Sequence, residues 1–65
     1  MNLKNRRIEC GFTQEYLANL LGINRSTVSM WETGESMPRA DKLPKLAAIL
    51  GCSINDIFSE QKDAS

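Results

Sequence analysis

Apolar residues recur three and four positions apart along most of the chain, which is the spacing of amphipathic α-helices, and no segment alternates as a half-buried strand does. The pattern therefore predicts an all-α domain of five short helices with tight connections. Residues suited to capping the amino ends precede three of the helices: Thr13, Asn24 and Ser53. Glycines end or follow four of them: Gly11, Gly22, Gly34 and Gly51.

The positions of the other helix ends are predicted from proline and capping residues in the same way. The first helix is predicted over about Leu3 to Cys10. The fourth starts between Ala40 and Leu43, which places Pro44 in its first turn, where a missing N–H costs nothing. In the fifth helix, Asp56 stands three residues after the Ser53 cap and is expected to complete a capping box.

The second and third helices are separated only by residues 21–23, so they must cross at a steep angle. Such a crossing requires a small residue at the contact, which Ala18 supplies, and a turn residue tolerant of positive φ, which Gly22 supplies. Three apolar side chains are expected to anchor the third helix from below: Ile23, Val28 and Trp31. These spacings are those of a helix-turn-helix.

The opposite face of the third helix carries short polar side chains and one arginine. With Val28 directed inward, the outward residues at helical spacing are Arg25, Ser26, Ser29, Met30 and Thr33. A face of this kind fits the major groove of duplex DNA, and Glu15 is the one acidic residue between Gln14 and Trp31.

Composition narrows the class of protein. A chain of 65 residues is enough for one domain, predicted over 1–59 with a flexible tail at 60–65. Net charge is zero, but residues 1–45 carry seven basic against five acidic side chains, so a basic face is expected there. The chain has no histidine, and its cysteines, Cys10 and Cys52, are expected to be reduced thiols. Without a signal peptide or an apolar span, a cytoplasmic protein is expected.

The stretches TQEYLA at 13–18 and LGINRSTVSMWETG at 21–34, with Pro38 and the Leu46-Ala47 pair, resemble the phage repressor and Cro family, also called the Xre family. The resemblance covers about Leu3 to Phe58. It implies a lambda-repressor-like five-helix fold whose second and third helices form the helix-turn-helix. It also implies a transcriptional regulator, often a repressor, that inserts the third helix into the major groove of double-stranded DNA.

The resemblance implies roles for individual side chains. The positions expected to contact bases are Arg25, Ser26, Ser29 and Met30. The positions expected to contact phosphates are Gln14, Asn24, Thr27, Trp31 and Arg39. Gln14 is also expected to brace the recognition helix. Arg7 and Glu32 match an internal ion pair that links the first helix to the third. The apolar face of the fifth helix is expected to be partly core and partly a contact between two copies: Ile54, Ile57 and Phe58.

Several of these roles have an alternative. Arg25 either pairs with guanine or contacts a phosphate, Met30 either touches a thymine methyl or covers the helix, and Trp31 is either core alone or also a phosphate donor. The leading functional hypothesis is a homodimer on a pseudo-palindromic operator. The alternative, favoured by the zero net charge, by Met30 and by Glu35, is a protein-interaction module on the same fold. An enzyme is the weakest hypothesis, and no cofactor, metal or small-molecule substrate is expected.

Overall fold

The computed structural model describes residues 2–58, and the predicted tail at 60–65 lies outside the described residues. Within residues 2–58 there are five α-helices and no strand. The helices are α1 (Leu3–Glu9), α2 (Gln14–Leu21), α3 (Arg25–Thr33), α4 (Leu43–Leu50) and α5 (Ile54–Phe58). None of these helices is long and apolar enough to span a bilayer. The all-α prediction and the five-helix prediction are both confirmed.

The amino ends of α2 and α5 are capped as predicted. The Thr13 hydroxyl accepts a hydrogen bond from the Tyr16 backbone N–H at 3.0 Å. At α5 the Asp56 backbone N–H donates to the Ser53 hydroxyl at 3.1 Å. The Ser53 backbone N–H in turn donates to the Asp56 carboxylate at 3.2 Å, which completes the capping box.

The amino end of α3 differs from the prediction. Asn24 takes the N-cap position in an extended conformation, but its side chain makes no capping hydrogen bond. The Thr27 N–H, which an N-cap side chain commonly satisfies, donates instead to the Asn24 backbone carbonyl at 3.0 Å. The Asn24 amide therefore remains uncommitted to the cap.

A short 3₁₀ turn at Ala40–Lys42 leads into α4, whose first turn contains Pro44 as predicted. The fourth helix buries Leu46, Ala47 and Leu50, whereas Leu43 is only half-buried. The first helix ends at Glu9, one residue earlier than predicted, because Cys10 takes the position that follows its last turn.

The core is formed by buried side chains of all five helices, with α2 packed against α3 and α4, and α1 packed against α3 and α5. Its fully buried large side chains come from every helix: Leu3, Leu17, Val28, Leu46 and Ile57. Each contributes about 1.5–3 kcal/mol relative to an exposed position. Because this core is small, single truncations within it should have large effects.

The fifth helix requires one correction. Ile57 is 0% exposed and packs within the core, so it has no surface left to contact a second copy. Its backbone carbonyl also accepts a hydrogen bond from the Asn2 N–H at 2.7 Å, which ties α5 to the start of α1. The predicted contact between copies is thereby restricted to Ile54 and Phe58, which are both partly exposed.

Candidate nucleic-acid interface

The turn between α2 and α3 fixes how the two helices cross. Gly22 lies in the left-handed region, at φ 72° and ψ 32°, where a residue with a Cβ is disfavoured. The Gly22 N–H donates to the Asn19 carbonyl and the Ile23 N–H donates to the Ala18 carbonyl. These two hydrogen bonds satisfy carbonyls in the last turn of α2 and end the helix. The Ala18 side chain is buried at the crossing. The structure therefore has the local features that the spacing predicted for a helix-turn-helix.

The third helix has one buried face and one open face. Val28 and Trp31 are buried in the core. The residues predicted to contact bases lie on the other side, where Arg25, Ser26 and Met30 are exposed and Ser29 is half-buried. Of the residues predicted to contact phosphates, Asn24 and Arg39 are exposed, Gln14 and Thr27 are half-buried, and Trp31 is buried with only 4% of its surface exposed.

Beneath this face, Arg7 on α1 is joined to Glu32 on α3. The Arg7 Nε donates to Glu32 Oε2 at 2.6 Å, and Nη2 donates to Oε1 at 3.2 Å. The Arg7 Nη1 also donates to the Phe12 carbonyl at 2.8 Å, so the guanidinium is held on three sides. The side chains are only 11% and 4% exposed, so solvent screens this pair weakly.

Gln14, the first residue of α2, continues this network towards the open face. Its Nε2 donates to Glu32 Oε1 at 2.9 Å. Its Oε1 accepts a hydrogen bond from Arg25 Nη1 at 3.3 Å. The amino ends of α2 and α3 therefore lie side by side, and one glutamine joins the buried carboxylate to the exposed arginine.

The loop after α3 closes on a single backbone oxygen. The Met30 carbonyl accepts hydrogen bonds from the N–H groups of Gly34 at 3.0 Å and Glu35 at 2.9 Å. Gly34 takes a left-handed conformation at φ 89°. Pro38 is buried, and the next residue, Arg39, is exposed. The loop thus begins and ends against the body of the domain, which places Arg39 at the surface.

The thiols and carboxylates of the described residues were compared with the requirements of a metal site and of a nucleophile. Within residues 2–58 no three histidine, cysteine or carboxylate side chains come together to hold a metal ion. Cys10 and Cys52 are free thiols, and Cys10 Sγ donates to the Leu50 carbonyl at 3.5 Å. Burial raises the pKa of the Cys52 thiol, although the Arg6 charge opposes this effect. A thiol with a raised pKa carries less thiolate and is a poor nucleophile at neutral pH.

A small helical domain in which residues 22–24 join α2 to α3, and in which α3 has one open face, has the architecture of a helix-turn-helix protein. Residues 3–57 match the family described as helix-turn-helix. The chain belongs to this family, and the resemblance stated from its motifs is confirmed.

Characterised and uncharacterised relatives share the domain. The chain is 36% identical over 61 residues to the HTH-type transcriptional regulator DicA of Escherichia coli (strain K12), covering 94% of this chain and 45% of that protein. It is 28% identical over 60 residues to the cryptic phage CTXphi transcriptional repressor RstR of Vibrio cholerae, covering 92% of this chain and 54% of that protein.

A relative of similar length is the uncharacterised HTH-type transcriptional regulator MJ0272 of Methanocaldococcus jannaschii. It is 38% identical over 61 residues, covering 94% of this chain and 92% of that protein. By contrast, the chain spans about half the length of RstR and DicA. No solved structure matches the chain significantly.

The sequence motifs indicated which residues lie at this site, but they did not indicate every hydrogen bond among those residues. Arg7 and Glu32 are brought together, as the resemblance implied. The resemblance implied that Gln14 braces the recognition helix, but its partners Glu32 and Arg25 were not predicted, because they depend on how α2 and α3 are placed relative to each other. The weak signal that could have suggested them is the presence of complementary donors and acceptors at the first residues of two adjacent helices.

Proposed function

We propose that this chain binds duplex DNA in a sequence-dependent manner, with α3 in the major groove, and acts as a transcriptional repressor. The observation that carries the proposal is the placement of Arg25, which is exposed at the start of α3 and joined to Gln14 at the start of α2. In helix-turn-helix proteins the amino-terminal residues of the second helix contact base edges while the first helix crosses the backbone. The repressor role follows the printed description of the relative RstR.

Arg25 is the side chain best suited to distinguish bases. Its guanidinium can pair through two N–H groups with O6 and N7 of guanine, a contact worth about 1–3 kcal/mol of discrimination. Ser26 and Ser29 lie beside it and carry hydroxyls that accept or donate to base edges. Met30 presents an apolar surface of the kind that contacts a thymine methyl.

Phosphate contacts position the domain on the duplex without reading sequence. Asn24 supplies an uncapped amide at the start of α3, and Arg39 supplies an exposed cation at the end of the loop. Gln14 and Thr27 are half-buried beside the same helix ends and complete the proposed phosphate set. Trp31 is assigned mainly to the core, since it is almost wholly buried.

The working form on DNA is proposed to be a homodimer. A single domain with few phosphate contacts binds weakly, whereas two copies with recognition helices about 34 Å apart read successive major grooves. Ile54 and Phe58 leave apolar surface on α5 for a second copy to cover. The operator is therefore expected to be pseudo-palindromic.

A protein-interaction module on the same fold remains the competing function. It is favoured by the zero net charge and by Glu35, an exposed carboxylate close to the proposed phosphate path. The two functions differ in their dependence on Arg25. A DNA-binding protein loses activity in Arg25→Ala, whereas an interaction module that does not use α3 keeps it.

A random-site selection with the purified chain tests the proposal. Duplexes carrying a randomised central segment are bound at low salt, recovered and sequenced over several rounds. The expected result is enrichment of a motif with two related half-sites. Absence of enrichment, with no retained duplex at low salt, would overturn the DNA-binding proposal and leave the interaction module.

A further inference from the structure

The two cysteines of the chain lie at the ends of two helices that are far apart in sequence. Cys10 follows the last residue of α1, and Cys52 follows Gly51, the glycine that ends α4. The Cys10 Sγ donates to the Leu50 carbonyl at 3.5 Å, a contact between residues that are 40 positions apart. The Cys10 side chain therefore reaches from the end of α1 to the end of α4, two residues before Cys52.

Hydrogen bonds fix the backbone at each cysteine. The Cys10 N–H donates to the Arg6 carbonyl at 3.1 Å, and the Cys52 N–H donates to the Ala47 carbonyl at 3.1 Å. Cys52 is also partly buried and packs against the hydrophobic core. Neither thiol lies on a loose segment, so folding itself holds the two side chains on the same side of the domain.

The two thiols also interact electrostatically. Burial raises the pKa of the Cys52 thiol, Arg6 opposes this effect, and the charges of Asp56 and Cys10 add to it. An influence of Cys10 on Cys52 requires the two groups to be close, since the interaction between charges weakens with distance. Cys10 is exposed and Cys52 is half-buried, so a reagent in solution reaches Cys10 first.

We propose that Cys10 and Cys52 form a reversible intramolecular disulfide, with a low-molecular-weight disulfide as the oxidant. The Cys10 thiolate attacks one sulfur of the oxidant, whose S–S bond breaks and releases one small thiolate. The Cys52 sulfur then loses its proton and attacks the Cys10 sulfur of the mixed disulfide, which expels the second small thiolate. The two cysteines lose two electrons, and the oxidant gains them and becomes two thiols with the protons that the cysteines release.

The order of the two attacks follows from the surroundings of each sulfur. The thiolate is the nucleophile, and a thiol with a raised pKa is a poor first attacker. In the second step Cys52 needs only to react with a sulfur that the fold already holds nearby, and this proximity offsets its low thiolate content. Both thiols are free in the structure, which therefore represents the reduced form of the pair.

The disulfide would join the end of α1 to the turn that leads into α5. It closes a long loop, from residue 10 to residue 52, and so restricts the unfolded chain more than the folded one. The oxidised domain should therefore unfold at a higher urea concentration than the reduced domain. This inference does not depend on the proposed DNA-binding function, because α3 carries neither cysteine.

Equilibration of the folded chain in glutathione buffers of increasing oxidised fraction tests the proposal. Remaining thiols are trapped with an alkylating reagent, and intact mass identifies each species. The expected product is a monomer that has lost two hydrogens and carries neither an alkyl group nor glutathione. The matched controls, Cys10→Ser and Cys52→Ser, should accumulate at most a mixed disulfide with one glutathione. If the unsubstituted chain instead accumulated two glutathione adducts, or disulfide-linked dimers, the proposal would be overturned.

The same equilibration in concentrated urea shows whether the native structure brings the thiols together. The equilibrium constant for the intramolecular disulfide should be at least about tenfold larger for the folded chain than for the unfolded chain. The urea midpoint of the oxidised form should be correspondingly higher than that of the reduced form. An equal or smaller constant in the folded chain would overturn the proposal. Neither measurement involves DNA, so each outcome leaves the DNA-binding proposal unaffected.

Discussion

Arg7 and Glu32 lie 25 residues apart in the chain and form a two-pronged ion pair, with Nε to Oε2 at 2.6 Å and Nη2 to Oε1 at 3.2 Å. The pair joins the helix that opens the chain to the end of the proposed recognition helix. Because Glu32 also accepts from Gln14, the carboxylate has donors from two other helices. A buried carboxylate with these partners fixes the orientation of α3 and also stabilises the domain.

Glu32→Gln should therefore destabilise the domain strongly. Removing one partner of a buried pair leaves an uncompensated charge, which costs about 3–5 kcal/mol. Urea unfolding followed by tryptophan fluorescence measures this loss, since Trp31 is buried in the core and becomes exposed on unfolding. Arg7→Met and Glu32→Met, each made singly and then together, form a double-mutant cycle. The double variant should lose less stability than the sum of the two single losses, and strict additivity would show that the pair is not coupled.

The core prediction uses two leucines on the same helix. Leu17 is 0% exposed and Leu20 is 38% exposed. Leu17→Ala should cost about 2–5 kcal/mol because it removes buried apolar surface and leaves a cavity. Leu20→Ala is the matched control and should cost under about 1 kcal/mol. Similar losses in the two variants, measured by thermal or urea unfolding, would contradict the assigned burial.

Gly22→Ala isolates the cost of the left-handed turn. No atom lies within 4 Å of the position that a Cβ would take at Gly22, so the substitution introduces strain but no clash. The expected loss is about 1–2 kcal/mol, and Gly22→Asn should lose less because asparagine tolerates this conformation better. If Gly22→Asn were less stable to unfolding than Gly22→Ala, something other than backbone conformation would control the stability of this turn.

Asp56 should make the stability depend on pH in the acidic range. The Ser53 backbone N–H, with help from the Ser53 hydroxyl and from Arg6, holds the pKa of Asp56 below its ordinary value of 3.8. Because the folded pKa is the lower one, this stabilisation is present above pH 3.8 and is lost as the pH falls through the folded pKa. Asp56→Asn should remove this component of the acid dependence, and an unchanged profile below pH 4 would contradict it.

Local rules predicted most of the fold. Thr13, Ser53 and the glycines are short-range signals, and they marked helix ends within about one residue because the groups that satisfy a helix end are close in sequence. Asn24 shows the limit of such rules, since its backbone carbonyl took the Thr27 N–H that its side chain was expected to satisfy. Propensity identifies a cap position and does not determine which acceptor is used.

The sequence predicted which residues lie at the candidate site, but not which hydrogen bonds join them. The outward set on α3 follows from helical periodicity once Val28 is assigned to the core. The link from Glu32 through Gln14 to Arg25 depends on the crossing angle of α2 and α3 and on the orientation of one amide. Neither quantity is encoded in residue spacing, so the resemblance implied that Gln14 braces the recognition helix, and the structure identified Glu32 and Arg25 as its partners.

The central claim is that α3 reads duplex sequence through Arg25, and a competition binding measurement tests it most directly. Fluorescence anisotropy at several salt concentrations gives the affinity ratio between the selected duplex and a scrambled duplex for the unsubstituted chain and for Arg25→Ala. The account predicts that the substitution lowers this ratio by about 5- to 150-fold, equivalent to about 1–3 kcal/mol. Affinity for the scrambled duplex should change far less. A ratio that is the same in the two proteins would contradict the account.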